Sequence, residues 1–345
     1  MRKTVTAFAS IALACAFLTA CGQETLDSRQ LDENSGLAYK HGSTTPFTGT
    51  VEWANQIPDA LQQYWTNAVG QTLSNNLATC KTQYKNGVMD GLATCSTSSG
   101  QKAFELTYQH EAYEGDSKLY NPNSGVLIRE FHWSAGRLNG TAKIYTDDGK
   151  QLLQEVSWKD GAQNGRVRTW DVNGTPISDS IWSNGKIVSG KYAQNTGVAE
   201  YKDGQLDGPA TWTLPNSQAM FAKGSYSAGQ RVGTWDDWGQ SIGNTVGPSG
   251  IASLTFEPAL AGPGDEFLAK VSHLVSNWIN GRVDGAVRGY DGNDHLVFSC
   301  HVKNGLLDGP FEYISPVYGK VLLTFQNGAQ TSTVRTVLDP NATSL

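Results

Sequence analysis

The sequence predicts an all-β protein: an elongated, twisted, single-layer antiparallel sheet assembled from repeated β-hairpins. Three observations lead there. The 345 residues include 38 Gly, 10 Trp, 13 Tyr and 11 Phe against only 3 Met, a composition suited to strands and tight turns rather than helical bundles. A short unit recurs along the chain: an aromatic or apolar residue, two residues, Gly, three residues and a second Gly. Residues before these turns alternate at period two, so that Leu152, Val156 and Trp158 share one face while Leu153, Glu155 and Ser157 share the other. Charged residues make up 17% and hydrophobic ones 39%, which excludes a polyelectrolyte, a multispanning membrane protein and global disorder.

The first element, residues 1–20, has the build of an export signal. Arg2 and Lys3 form a short positive region, and the apolar stretch from Val5 to Leu18 is too short to span a bilayer. It ends in Leu18-Thr19-Ala20-Cys21, which resembles the bacterial lipobox. The resemblance implies a thioether-linked diacylglycerol on Cys21, cleavage before it and N-acylation; an ordinary secretory signal is the alternative. Several acyl chains hold a protein firmly on a membrane without spanning it. Gly22, where Asp would favour inner-membrane retention in enterobacterial sorting, points to the outer membrane and a periplasm-facing protein. Without Arg2 and Lys3 the chain carries 24 basic against 32 acidic residues, so nucleic acid is a poor partner.

Residues 21–36 are polar and aperiodic and read as a flexible tether. A hairpin-repeat domain is expected over 37–335, with insertions near 54–80 and 239–264, followed by a tail at 336–345. The repeat occurs as YKNGVMDG from Tyr84, WSAGRLNG from Trp133, WKDGAQNG from Trp158, YKDGQLDG from Tyr201, YSAGQRVG from Tyr226, WINGRVDG from Trp278 and VKNGLLDG from Val302. A longer WSNGKIVSG starts at Trp182 and a truncated FQNG at Phe325. The first glycines are Gly87, Gly136, Gly161, Gly185, Gly204, Gly229, Gly281, Gly305 and Gly328. Two steps, 87 to 136 and 229 to 281, are about double the rest, and each is expected to hide a degenerate repeat. Asn-Gly and Asp-Gly supply the positive φ of a tight reversal, and the second glycine suits a bulge. An aromatic follows four or five residues later, as Tyr145, Trp170, Trp212, Tyr290 and Tyr313. In the first insertion, Leu61, Tyr64, Trp65, Ala68, Val69 and Leu73 have amphipathic spacing, and a short helix is expected near 58–76.

These units resemble the MORN-variant repeats, in particular the YwqK-like, antitoxin-like proteins, whose pattern is aromatic-Lys-Asn/Asp-Gly-x-x-x-Gly followed by a strand with Tyr or Trp. YKNGVMDG and YKDGQLDG match it, and Leu37 to Gly42 with Pro46 to Gly49 resembles the group's first repeat. The resemblance spans roughly residues 37 to 330. It implies the sheet fold and, because such repeats are scaffolds, a binding role rather than an activity.

After Cys15 and Cys21, three cysteines remain. Cys80 and Cys95 flank the turn at Asn86-Gly87 almost symmetrically, so a hairpin places them opposite each other and a disulfide is expected in an oxidising compartment; two buried thiols are the alternative. Cys300 and His301 are adjacent and fall on opposite strand faces, so no metal site is expected. The histidines His41, His110, His132, His273, His295 and His301 are scattered, and Asp147-Asp148 and Asp236-Asp237 read as turn or solvated-face residues, so neither catalytic residues nor a cofactor is expected. The expected function is an envelope-anchored protein-binding scaffold, most concretely an immunity-like protein holding a toxin in the periplasm. A structural or glycan-binding scaffold is the alternative.

Overall fold

The computed structural model describes residues 24–54, 57–69, 77–194, 196–215, 217, 219–239, 242, 267–332 and 336–345. The leader, Cys21 and nearly all of the 239–264 insertion lie outside them. The chain is all-β, an open antiparallel array of hairpins with the α-helix Asp59–Val69 among its described elements, and it divides into two compact units, Met1–Gly125 and Val126–Leu345.

The hairpins follow from their turns. At every first glycine that the sequence singles out, both central residues have positive φ, as at Asp160 (51°) and Gly161 (83°) or Asn304 (52°) and Gly305 (80°). That is the I′ reversal, whose twist matches the strands it joins. Beyond the turn, the register slips. Trp158 pairs with Gln163, but Val156 pairs with Val167, so the return strand holds two extra residues. Gly165 sits in this bulge with φ 111°, and a Cβ there would lie 2.9 Å from the Cβ of Ser157. The second glycine therefore answers both a backbone and a steric demand.

Register also shows what couples one repeat to the next. The leading residue of a repeat recurrently stands opposite the preceding repeat's second glycine: Gly91 with Tyr108 in the first unit, and Gly140 with Trp158, Gly165 with Trp182, Gly190 with Tyr201, Gly208 with Tyr226, Gly233 with Trp278 and Gly309 with Phe325 in the second, with Val302 opposite Gly285 as the aliphatic case. A ring facing a residue without a side chain restores the contact area that the glycine forfeits.

In the first unit the strand order is Thr25–Asp27, Gly49–Ala54, Leu77–Lys85, Val88–Thr97, Lys102–Gln109 and Gly115–Tyr120, antiparallel except for the first pair. Residues 24–36 are not the flexible tether expected from their polarity. Thr25–Asp27 runs parallel to Gly49–Ala54, Ser28–Gln30 forms a capped 3-10 turn, and Leu31–Asn34 makes a hairpin with Leu37–Lys40. Leu26 is the reason: it is buried against Ala38, Phe47, Val51 and Tyr84, and one apolar anchor among polar residues leaves no periodic signal. The helix Asp59–Val69 buries Leu61, Tyr64 and Trp65 on this sheet, with Trp65 stacked on Phe104 at 5.8 Å and Tyr64 at 5.3 Å from Tyr113.

The first long step holds a further hairpin, and in the second the sheet passes directly from one flanking strand to the next. Lys102–Gln109 turns through His110 (φ 48°) and Glu111 (φ 67°) into Ala112–Tyr113, an I′ reversal built without glycine. Between Gly229 and Gly281 no hairpin intervenes in the sheet, because Gln230–Trp238 pairs directly with His273–Ile279, from Gly233 with Trp278 to Trp238 with His273.

The second unit runs as a meander from Leu127–Ser134 to Thr336–Asp339, so the expected tail at 336–345 contributes a strand, paired with Gly319–Gln326. Its core thickens towards the C-terminus, where Phe267 contacts Phe298, Phe311 and Tyr313. Between residues 140 and 222 the buried side chains are small: Ala142, Val156, Val167, Ser178, Ser180, Ala199, Ala210 and Ala222.

Candidate partner-binding surfaces

The two faces of the second unit's sheet are chemically distinct. On the face of Val156 the small buried residues are flanked by half-buried Trp158, Trp182, Tyr192, Tyr201, Trp212 and Tyr226. Trp182 and Tyr192 meet edge to face at 5.1 Å, as do Tyr226 and Trp235 at 4.9 Å. At Trp182 and Trp278 a serine two residues earlier serves the indole N–H. The indole N–H of Trp182 donates to Ser180 Oγ at 3.0 Å and that of Trp278 to Ser276 Oγ at 2.9 Å. At Trp158 the equivalent position is Val156, and the indole N–H is buried without a hydrogen-bond acceptor among the described residues.

The opposite face carries a ladder of charge. Glu130, Lys143, Glu155, Arg168, Asp179, Lys191 and Glu200 are consecutive cross-strand partners on seven neighbouring strands, and their signs alternate throughout. Each rung opposes unlike charges across a strand spacing, which favours this register over a slip. Arg166 adds a bidentate contact to Asp179, at 2.8 Å through Nε, and this holds the Asp179 carboxyl below its ordinary range.

The aromatics that follow each second glycine divide between the faces by parity. Those five residues on, Tyr145, Trp170 and Tyr290, lie on the charged face: Tyr145 donates its hydroxyl to Glu130 at 2.9 Å, Arg168 covers the Trp170 ring at 5.2 Å, and Tyr290 stacks at 5.5 Å on His273. Those four residues on, Trp212 and Tyr313, join the core.

Paired acids likewise separate. Asp148 caps its turn, accepting from the Lys150 amide at 3.1 Å, as Asp171 does from the Asn173 and Thr175 amides at 2.8 Å. Asp236 accepts from His273 Nε2 at 2.8 Å, and His273 is itself stacked on Trp238 at 4.6 Å. Asp237 departs from the solvated-face expectation. It is fully buried and bound by both terminal nitrogens of Arg231, at 2.9 and 3.0 Å. The guanidinium lies 3.9 Å from the Trp235 ring and 5.0 Å from that of Trp278. The sequence signal for this site was an arginine six residues before an acid on the strand that carries Trp235, a spacing with no recognised motif.

Cys80 and Cys95 are joined by a disulfide between directly paired residues of adjacent strands, with Cα atoms 4.1 Å apart. Cys300 is a free, buried thiol, and burial pushes its pKa up, away from the reactive thiolate. Among the described residues no three His, Cys, Asp or Glu side chains converge as metal ligands, and no helix is long and apolar enough to cross a membrane. The chain matches no protein-family model, and no curated protein matches it in sequence.

Proposed function

We propose that this protein is a non-catalytic, protein-binding repeat scaffold of the bacterial envelope, lipid-anchored through Cys21, and most concretely an immunity-like protein of the MORN-variant, YwqK-like kind that holds a toxin on the periplasmic side. The observation that carries the reading is the row of half-buried Trp158, Trp182, Tyr192, Tyr201, Trp212 and Tyr226 on one face of consecutive strands. Trp and Tyr supply large contact area at small entropic cost and dominate protein interfaces. The excess of acidic over basic residues suits a basic partner and speeds encounter with it.

Deleting the gene should sensitise cells to kin that deliver the toxin, and the exported protein should restore protection while a leaderless version fails. Cys21→Ser should release the protein from membranes or block its processing; a variant that stays firmly bound would refute the anchor. A glycan-binding scaffold is the second reading, and the stack of Trp238, His273 and Tyr290 favours it, since saccharide rings pack on such aromatic surfaces. Capture from an envelope extract separates the two: a protein partner supports the first, retention on cell-wall glycan the second.

A further inference from the structure

The first unit contains a cavity of 280 Å³ that no part of the proposed function uses. Its walls come from four places, one of them Ala60 on the helix Asp59–Val69. The hairpin Leu31–Asn34/Leu37–Lys40 docks onto the turn at Gly87, with the Ala38 amide donating to the Gly87 carbonyl at 2.8 Å. A Cβ on Gly87 would lie 3.0 Å from that of Leu37, so the glycine permits this close approach. The strand pair behind it supplies Tyr84 and Met89, the strand Lys102–Gln109 supplies Tyr108, and the glycine-free turn that follows it supplies Glu111.

The lining is amphipathic in a particular way. Leu37 and Met89 give an apolar body, Tyr84 and Tyr108 are buried phenols, and Glu33 and Glu111 are exposed carboxylates. Among the described residues no Lys, Arg or His lines it. Burial raises the Tyr84 phenol above its ordinary pKa, and Glu33 and Glu111 raise it further, which places both carboxylates within electrostatic reach of its hydroxyl. The phenol therefore stays neutral beside two carboxylates that have no cation among the described lining residues. Phenol rings and a thioether accept the alkyl body and the charge of an organic cation, and carboxylates attract its ammonium group.

We infer that this cavity binds an alkylammonium group, its chain against Leu37, Met89 and the two tyrosines and its charge between Glu33 and Glu111. Two sources carry that chemistry, the side chain of a lysine on a partner protein and a free polyamine. The inference stands apart from the toxin reading, because it concerns a different unit and needs no partner to be known.

Met89 is a built-in reporter, since the other methionine among the described residues, Met220, does not line the cavity. With ¹³C-methyl methionine in the full chain, and its signals assigned through Met89→Leu, n-butylammonium should shift the Met89 methyl saturably and leave Met220 unmoved. The neutral twin n-butanol should bind roughly tenfold more weakly, the expected worth of one cation among two carboxylates and two rings. Glu33→Gln with Glu111→Gln, both at exposed positions, should weaken n-butylammonium roughly fivefold or more and leave n-butanol unchanged. Equal binding of alcohol and amine, an unchanged affinity in the double variant, a shift with N-acetylglucosamine alone, or no shift at all would overturn the inference. Spermidine binding far more tightly than Nα-acetyl-lysine methylamide identifies a polyamine as the source; comparable binding identifies a lysine side chain.

Discussion

The repeat places two glycines under different constraints, and alanine at each should separate them. At Gly161, φ is 83° and an added Cβ meets only Arg137 Cβ, 3.9 Å away, so Gly161→Ala bears the cost of the left-handed region alone, about 1–2 kcal/mol. At Gly165, φ is 111°, where glycine has few substitutes, and the added Cβ would lie 2.9 Å from Ser157 Cβ. Backbone strain of about 1–3 kcal/mol and overpacking of about 1–3 kcal/mol then add, and Gly165→Ala should cost about 3 kcal/mol or more. The two terms come apart in a double-mutant cycle. Ser157→Gly removes the opposing Cβ and leaves φ unchanged, so it should recover about 1 kcal/mol or more of the Gly165→Ala loss. Urea unfolding followed by tryptophan fluorescence measures the totals, and amide exchange of Val156 and Val167, which pair across this hairpin, reads the local effect. Equal losses at Gly161 and Gly165, or no recovery with Ser157→Gly, would refute the bulge argument.

Other expectations follow from single contacts. Arg231→Met leaves Asp237 buried without its bidentate partner and should cost about 3–5 kcal/mol in urea unfolding, with much of the loss restored by adding Asp237→Leu. Opening the Cys80–Cys95 bridge, which closes a sequence separation of 15 residues, should lower the stability of the first unit by about 3 kcal/mol, read as a reductant-dependent shift of its denaturation midpoint. Ser180→Ala removes the acceptor of the Trp182 indole N–H and should cost about 1 kcal/mol, whereas Ser183→Ala on the exposed end of the same strand should cost little. Cys300, buried and with its thiol pKa raised, should react with a thiol reagent only on unfolding; rapid labelling of the native protein would contradict its placement.

The hairpins were legible because their information is local: Asn-Gly and Asp-Gly at a fixed distance from an aromatic specify an I′ turn whatever surrounds them. The turn at His110-Glu111 was not, since two residues with side chains hold positive φ there at a conformational cost that the flanking strand pairs offset. Spacing alone could not show that the strands on either side of the Gly229–Gly281 step are neighbours in the sheet, which only the pairing of Trp238 with His273 reveals. The aromatics four or five residues past the bulge looked equivalent as a series, yet one residue of difference sends Trp212 to the core and Trp170 to the charged face. Asp237 looked like its neighbour Asp236 for the same reason: adjacent strand residues face opposite ways, and the second is paired with Arg231, six residues earlier on the same strand. The lining of the cavity was invisible to motif reading altogether, because Glu33, Tyr84 and Glu111 are brought together by one hairpin docking on another.

The parallel strand Thr25–Asp27 sets a length as well as a fold. Locked against Gly49–Ala54, it leaves residues 22–24 between Cys21 and the folded sheet. Fully extended, that leash spans at most about 14 Å. With lipid on Cys21 as proposed, the first unit rides against the headgroups and cannot search the space beyond them. A partner must come to within a short distance of the bilayer to be held, and lengthening the leash with a flexible insert before Thr25 should move the zone of capture outward without altering the binding surface itself.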